Sequence, residues 1–208
     1  MTTTLGSLMF LAWSVQAQQT PDTLMMRNPA PEKFSAEFHT TKGNFTIEVI
    51  REWSPAGADR LYQLIHSGFY SNNAIFRVQK DYVVQFGIGD EKEINHFWDI
   101  RPIDDEPVKS SNLKGTISFA RDGAKTRTAQ LFINLKDNPK LDTVKYNNLR
   151  GFPPVARVIL GMEVIESFYA DYGFEPANHQ DSVMVKGNAY WKILFPKLDY
   201  IRSASIIK

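Results

Sequence analysis

The sequence predicts a mainly β protein, built either as a barrel or as a sandwich. About seven short stretches alternate apolar and polar residues, which is the period of a strand with one buried face. Residues typical of turns separate these stretches at short intervals, as in antiparallel sheets. Only two stretches have the spacing of an amphipathic helix. One lies before most of the strands and one after them, where two helices would cover the ends of a barrel.

The composition is that of a protein with one large core, and it excludes several kinds of site. The chain has 208 residues, of which 43% are hydrophobic, and no cysteine. Disulfides, thiol catalysis and cysteine zinc sites are therefore excluded. Its 24 Lys and Arg balance 23 Asp and Glu without a basic run, so we expect no nucleic-acid partner. No apolar run is long enough for a membrane-spanning helix.

The first residues predict a secretory signal peptide over 1–17. An apolar run from Leu5 to Val15 is followed by small residues that suit cleavage after Ala17. Residues 18–35 are rich in Pro, Gln, Asn and Thr and predict a linker. We therefore expect a protein of the periplasm, the secretory pathway or the cell exterior. The start of the segment lacks a positive charge, so a buried or disordered N-terminal segment in a cytoplasmic protein stays open as the alternative.

A hairpin and a helix open the folded part of the chain. Residues 36–41 and 44–50 alternate apolar and polar side chains on either side of Lys42-Gly43, which predicts two strands joined by a tight turn. Ser54-Pro55 then provides an N-cap and a proline at the first helical position. The helical spacing of apolar residues continues up to Gly68, which predicts the end of the helix.

Five further strands follow in chain order, and a second helix begins at Gly161. The long polar region between the fourth and fifth strands predicts a loop. Its acidic cluster 104–106 has neither helical spacing nor the pattern of a calcium loop. We therefore expect that cluster to be solvated, and we expect no metal ion and no cofactor. The five predicted strands are 75–78, 82–86, 115–120, 129–135 and 152–159.

The most informative stretch is 75–87, which places Arg77 among apolar residues and Gln85 eight positions later. A cation in apolar surroundings is costly unless something satisfies it. Three interpretations follow from the residues alone. Arg77 closes a structural ion pair with the acidic loop, or it lies in a pocket wall and acts on a ligand. In the third, the barrel encloses a small molecule and Arg77 binds its carboxylate.

Several motifs, in the same order along the chain, resemble those of the cyclophilin-type peptidyl-prolyl isomerases. They are Arg77-x4-Tyr82-Val83-x-Gln85-x-Gly87, Leu113 to Ala120, Thr126-x3-Gln130-Leu131-Phe132-Ile133, Leu141-Asp142, and Val158 to Met162. The resemblance implies an eight-stranded antiparallel barrel capped by two α-helices over residues 36–172, with a C-terminal extension over 173–208. It also implies cis-trans isomerisation of X-Pro bonds as the activity. The partners would be proline-containing peptides and unfolded or partly folded proteins, here secreted or exported ones.

The resemblance also assigns roles to individual residues. Rotation about a peptide bond has a barrier of about 18–20 kcal/mol because it breaks amide resonance. It leaves a lone pair on the prolyl nitrogen, and a donor aimed there acts more strongly in the twisted state than in the planar one. Arg77 matches the catalytic arginine, and Gln85 matches a second catalytic residue that orients it. The residues that match substrate contacts are Tyr82, Val83, Ala120, Arg121, Gln130, Phe132, Leu141 and Phe152.

Five positions depart from the pattern of the family. Phe86 stands where the family has a glycine. Phe76 and Phe152 stand where the family has histidine, and Arg121 stands where it usually has asparagine. Lys140 occupies the position of a tryptophan, so the resemblance predicts impaired binding of cyclosporin-type drugs rather than impaired catalysis. These departures leave a second interpretation open, in which the chain is a catalytically weak peptide-binding or chaperone module of the same fold.

Overall fold

The computed structural model describes residues 29–146 and 149–207, and eight of the strands in these ranges form a closed antiparallel barrel. The strands are β1 (Lys33–Thr40), β2 (Asn44–Ile50), β3 (Asn73–Gln79), β4 (Val83–Phe86), β5 (Thr116–Phe119), β6 (Leu131–Asn134), β7 (Lys145–Tyr146), β8 (Leu149–Arg150), β9 (Pro154–Leu160) and β10 (Tyr200–Ile206). Around the barrel the order is β1-β10-β3-β4-β6-β5-β9-β2, while β7 and β8 form a small separate hairpin. The predicted eight-stranded antiparallel barrel is confirmed.

The strand that closes the barrel lies within the predicted C-terminal extension. β10 pairs with β1 on one side, where Phe38 faces Ala204, and with β3 on the other. This corrects the predicted boundary after residue 172. A bulge at this point puts the buried Ile201 and Ala204 three positions apart, which breaks the two-residue period that would have revealed a strand.

The interior of the barrel is filled by apolar side chains. Phe38 stacks on Phe45 at 4.8 Å between ring centroids, and Tyr70 and Phe86 meet Phe38 at 5.7 and 6.1 Å. All four rings are buried, and full burial of one such side chain contributes about 1.5–3 kcal/mol. The packed interior argues against the interpretation in which the barrel encloses a small molecule.

The first predicted helix is present, but a distant carboxylate caps it. α1 (Pro55–His66) begins with the predicted proline, and its N-cap Ser54 makes no capping hydrogen bond through its side chain. Instead Glu106 accepts the backbone N–H of Ala56 at 2.8 Å and pairs with the fully buried Arg127 at 3.0 Å. The prediction that the acidic cluster is solvated is therefore wrong for Glu106, because it satisfies both a helix terminus and a buried cation.

Among the described residues, three α-helices lie where the sequence predicted a loop or an extension, and another lies where a helix was predicted. α2 (Lys92–Asp99) occupies the polar region and buries Trp98, and α3 (Met162–Glu166) is the short helix expected after Gly161. In the C-terminal segment, α4 (Gln180–Lys186) and α5 (Asn188–Leu194) pack on the outside of β3. None of the helices in the described ranges is long and apolar enough to cross a membrane.

The N-terminal predictions lie largely outside the described residues. The signal peptide over 1–17 and the linker up to residue 28 are not among them. At the other end of the predicted linker, β1 begins at Lys33, so residues 33–35 are part of the barrel. Ala30, just before this strand, donates its N–H to Asp59 of α1 at 2.8 Å.

Candidate active site

The candidate site lies on the outer face of the barrel, across β3, β4, β6 and β5. Arg77 is paired with Gln85, Gln85 with Phe132, and Phe132 with Ser118, so one row of residues crosses four strands. Side chains alternate between the two faces of a strand, and the neighbours of this row on β4, β6 and β5 fill the interior. The row is therefore directed outward, away from the packed core.

A β-bulge in β3 places Arg77 in this row. Ile75 faces Phe86 and Arg77 faces Gln85, so two steps along β3 match one step along β4. A bulge of this kind re-aims the side chains that follow it. Ile75 belongs to the main core, whereas Phe76 belongs to a second apolar cluster outside the barrel.

Two glutamines hold the guanidinium of Arg77. Its Nε donates to Oε1 of Gln79 at 2.8 Å, its Nη2 donates to the same oxygen, and its Nη1 donates to Oε1 of Gln85 at 2.9 Å. Gln85 in turn donates to Gln130 at 2.9 Å. Both acceptors of Arg77 are amides, so the structure does not support the ion pair with the acidic loop. One N–H on each terminal nitrogen is left for a ligand.

Two aromatic rings contact the guanidinium of Arg77. Its Cζ lies 5.6 Å from the ring centre of Tyr82 and 4.9 Å from that of Phe174. Burial lowers the pKa of Arg77, and Tyr82 opposes this shift. An arginine titrates so far above neutrality that it stays charged in such a setting. The site therefore presents a fixed cation at a partly apolar surface.

A pocket of about 160 Å³ lies beside Arg77, with both apolar and polar side chains in its wall. Phe132 and Phe152 form its aromatic wall, with their rings 5.7 Å apart and nearly perpendicular. Of the ten residues predicted for the site, only Gln130 does not line this pocket. The residues that line it are Arg77, Tyr82, Val83, Gln85, Ala120, Arg121, Phe132, Leu141 and Phe152.

Leu141 and Phe152 are fixed to one another through their backbones. The N–H of Phe152 donates to the carbonyl of Leu141 at 2.8 Å, and the carbonyl of Phe152 accepts from Asn112 at 2.8 Å. Asn112 also donates to Asp142 at 2.8 Å, which holds the short 3-10 turn Pro139–Asp142. This side of the pocket is therefore held in place although Leu141 lies outside the strands of the barrel.

Arg121 is part of the pocket wall and supports the ring of Phe152. Its side chain is only 1% exposed, and its Cζ lies 4.9 Å from the ring centre of Phe152. The guanidinium donates to the carbonyl of Gly151 and forms an ion pair with Asp105 at 3.6 Å. Burial lowers the pKa of Arg121, whereas Asp105 raises it. This arginine thus holds Phe152 in place, a role that the sequence did not suggest.

Gln130 lies in a larger cavity that adjoins the pocket. This cavity has a volume of about 580 Å³ and shares Arg77, Gln85, Ala120 and Arg121 with the pocket. Its far side is formed by the C-terminal segment, which contributes Phe174, Ala177, Asn178, Gln180 and Asp181. Gln130 reaches Gln85 because Gly87 has no side chain: a Cβ there would lie 2.5 Å from the Cα of Gln130.

The sequence of the chain also matches a known protein family. The sequence model of the family described as "Cyclophilin type peptidyl-prolyl cis-trans isomerase/CLD" matches residues 35–185, which is most of the chain. The chain belongs to the cyclophilin-type peptidyl-prolyl cis-trans isomerase family. Its enzyme class is therefore that of the family, and cyclophilins bind proline peptides.

Individual cyclophilins are similar over much of the chain. Peptidyl-prolyl cis-trans isomerase A of Dickeya dadantii is 31% identical over 129 residues, which cover 61% of this chain and 66% of that protein. Peptidyl-prolyl cis-trans isomerase-like 3 of Rhizopus delemar is 32% identical over 120 residues, covering 52% of this chain and 69% of that protein. A crystal structure of a cyclophilin type isomerase from Cryptosporidium parvum has a TM-score of 0.60 at 18% identity, with 85% of this chain and 98% of that chain covered, and supports the fold.

Sequence reasoning missed two residues of this cyclophilin's site. Gln79 lies two positions after Arg77 on the same strand, a spacing that puts both side chains on one face, so the signal was available. Phe174 comes from a segment with no strand pairing to β3, and no local pattern could have placed it there. The structure also places two of the residues that differ from the family pattern. Phe76 is buried and stacks on Trp191 at 6.0 Å, and Lys140 is exposed.

Proposed function

We propose that this cyclophilin catalyses rotation about X-Pro bonds with Arg77 as the donor to the prolyl nitrogen. The observation that carries the proposal is the position of the Arg77 guanidinium. Two glutamines hold it at the edge of a small pocket with two phenylalanine rings, and one N–H on each terminal nitrogen is left over. A donor of this kind interacts more strongly with the localised lone pair of the twisted bond than with the planar amide. No proton transfer is required.

The pocket is suited to hold the proline ring while the preceding residue turns. The rings of Phe132 and Phe152 lie nearly perpendicular, and Val83 and Leu141 add apolar contacts for the proline ring. Burial of the ring fixes one side of the bond, so rotation takes place on the acyl side. The X-Pro isomers differ by only about 0.5–1 kcal/mol, so both are populated without a catalyst. The enzyme, like any catalyst, changes only the rate at which they interconvert.

Gln85 and Gln130 act as positioning residues in this proposal. Gln85 accepts from Arg77 and donates to Gln130, so a chain of hydrogen bonds links β3, β4 and the residue just before β6. Such networks fix the orientation of a charged donor before the substrate binds, which avoids reorganisation during the reaction. Phe152 contributes an aromatic ring to the pocket wall, and Arg121 holds that ring in place. These departures therefore leave a binding surface for the proline ring, which supports catalysis over the alternative of a weak peptide-binding module.

The substrates proposed here are exported or secreted proteins that contain proline. The support for this is the apolar segment 5–15 and the small residues up to Ala17 in the sequence. The mass of the mature N-terminus after expression in a secreting host tests the proposal. A protein that begins at Gln18 supports export, and an intact Met1 recovered from the cytoplasm contradicts it.

The exchange rate of a proline peptide between its cis and trans forms tests the catalytic proposal. Two-dimensional NMR exchange spectroscopy measures it without a coupling protease. We expect the wild-type protein to accelerate exchange and Arg77→Ala to lose most of that acceleration. Arg157→Ala is the matched control, since this arginine lies on β9 in an ion pair with Glu48 and outside both cavities. Equal rates for the wild type and Arg77→Ala would refute the assigned role.

A further inference from the structure

The C-terminal segment between α3 and β10 is fixed against β3, the strand that carries Arg77. The carbonyl of Gly173 accepts the N–H of Val78, the neighbour of Arg77, at 3.3 Å. Trp191 is fully buried and stacks on Phe76 at 6.0 Å with an angle of 9° between the rings. The segment therefore meets β3 on both sides of the catalytic arginine, through one polar and one aromatic contact.

Polar contacts fix the same segment at a second place. Asn188 donates its backbone N–H to Asp90 at 2.7 Å and its side chain to the carbonyl of Asn72. Asn72 in turn donates to Asp90 at 2.8 Å. Asn95 of α2 contacts the carbonyl of Met184 at 3.4 Å. These contacts hold residues 184–188 in place, while the hydrogen bond from Val78 to Gly173 holds the backbone next to Phe174.

Phe174 is the residue of this segment that meets the reaction centre. Its side chain is 45% exposed, so it adds little to the core. Its backbone is nevertheless fixed, because its carbonyl accepts the N–H of the buried Ala177 at 2.9 Å. Its ring centre lies 4.9 Å from Cζ of Arg77. An exposed aromatic ring on a fixed backbone, in contact with a functional cation, requires an explanation other than packing.

We propose that Phe174 is a positioning residue for Arg77, supplied to the active site by the C-terminal segment. This proposal rests on the proposed function of Arg77 and extends it. Gln79 and Gln85 hold the guanidinium through N–H groups that lie in its plane. An aromatic face attracts a cation and resists its motion away from that face. Phe174 thus restricts motions of Arg77 that the two glutamines leave free.

The location of Phe174 separates this role from substrate binding. Phe174 lines the larger cavity and does not line the pocket for the proline ring, in contrast to Tyr82, the other ring on Arg77. Loss of the ring at residue 174 should therefore change the turnover of a bound short peptide and leave its binding nearly unchanged. A residue that only stabilised the fold would change neither quantity in the folded fraction.

The test compares three variants of the full chain, with an Ala-Pro tetrapeptide as substrate. Phe174→Tyr keeps the aromatic ring, Phe174→Leu keeps apolar bulk without a ring, and Phe174→Ala removes both. We expect kcat to fall about three- to tenfold in the last two and to be retained in the first, with KM within about twofold throughout. Ile193→Ala is the matched control, because Ile193 is 78% exposed on the same segment.

A second readout follows Arg77 itself. The Nε–H of Arg77 donates to Gln79, so its NMR signal should exchange slowly with water in the wild type. We expect faster exchange in Phe174→Leu and Phe174→Ala and no change in Phe174→Tyr or Ile193→Ala. This measurement needs no turnover, so it tests Phe174 even if Arg77→Ala proves fully active and the proposed function fails.

Three results would overturn the proposal. One is a wild-type kcat and a wild-type Nε–H exchange rate in Phe174→Leu, since the aromatic face would then be unnecessary. Another is a rise in KM at unchanged kcat, which would make Phe174 a substrate contact. The third is a further loss when Phe174→Ala is added to Arg77→Ala, because a residue that acts through Arg77 has no effect once Arg77 is gone.

Discussion

The hydrogen bonds between Gln79 and Arg77 allow a direct test of whether the orientation of Arg77 matters for catalysis. A single amide oxygen of Gln79 accepts from both Nε and Nη2 of the guanidinium. We predict that Gln79→Ala lowers kcat/KM strongly while the fold is unaffected. The fold should be unaffected because Gln79 is only half-buried and is not one of the residues of the core.

The size of the effect follows from the number and kind of hydrogen bonds. A hydrogen bond to a charged group contributes about 1.5–3 kcal/mol. Water can replace part of the loss because the guanidinium is half-buried, so we assign that range to the two bonds together and not to each. At about 1.4 kcal/mol for each factor of ten, the loss in kcat/KM is roughly 10- to 100-fold.

The assay is NMR exchange on a proline peptide, together with thermal denaturation. Gln79→Met is the informative second variant, because it keeps the length of the side chain and removes the acceptor oxygen. Lys80→Ala is the control, since the neighbouring Lys80 is exposed and lines neither cavity. If Gln79→Met is as active as the wild type with an unchanged melting temperature, the acceptor does not hold Arg77 and the reasoning fails.

Four further predictions follow from the structure. Phe132→Ala opens the pocket for the proline ring and should raise KM in the peptide assay by about tenfold or more. Burial lowers the pKa of Arg77, but an arginine starts so far above neutrality that the side chain stays charged. No histidine is among the residues that line the two cavities. Activity measured between about pH 6 and 9 should therefore show no ionisation step; a step there would point to another group. Glu106→Gln leaves the buried charge of Arg127 uncompensated and should cost about 3–5 kcal/mol in urea unfolding, with an unchanged midpoint contradicting the capping role. Lys140→Trp restores the residue typical of the family and should tighten cyclosporin binding by calorimetry, and equal affinities would show that Lys140 is not the cause of weak binding.

The sequence predicted most of the barrel because its strands keep the two-residue period. The first hairpin, β3 to β6 and β9 all carry it. β10 was missed because a bulge separates Ile201 and Ala204 by three positions. α2 was missed because only Ile94, Asn95 and Trp98 are buried in a segment of otherwise polar residues.

The site was predictable to the extent that its residues lie on regular strands. Arg77, Gln85 and Phe132 form one row because strand registers align them. The contribution of Phe174 depends on how a distant segment packs, which no local spacing encodes. The side chain of Arg121 is a similar case, since its function depends on Asp105 and Phe152 in two other loops.

The position of β10 has a consequence for how the molecule is made. β10 pairs with β1, although the two strands are separated by roughly 160 residues of chain, and contacts so far apart in sequence form slowly. During synthesis, which proceeds from the N-terminus, β1 and β3 would expose unpaired edges until residues 200–206 emerge. The last part of the barrel to be synthesised is thus the one that protects its two neighbours from aggregation.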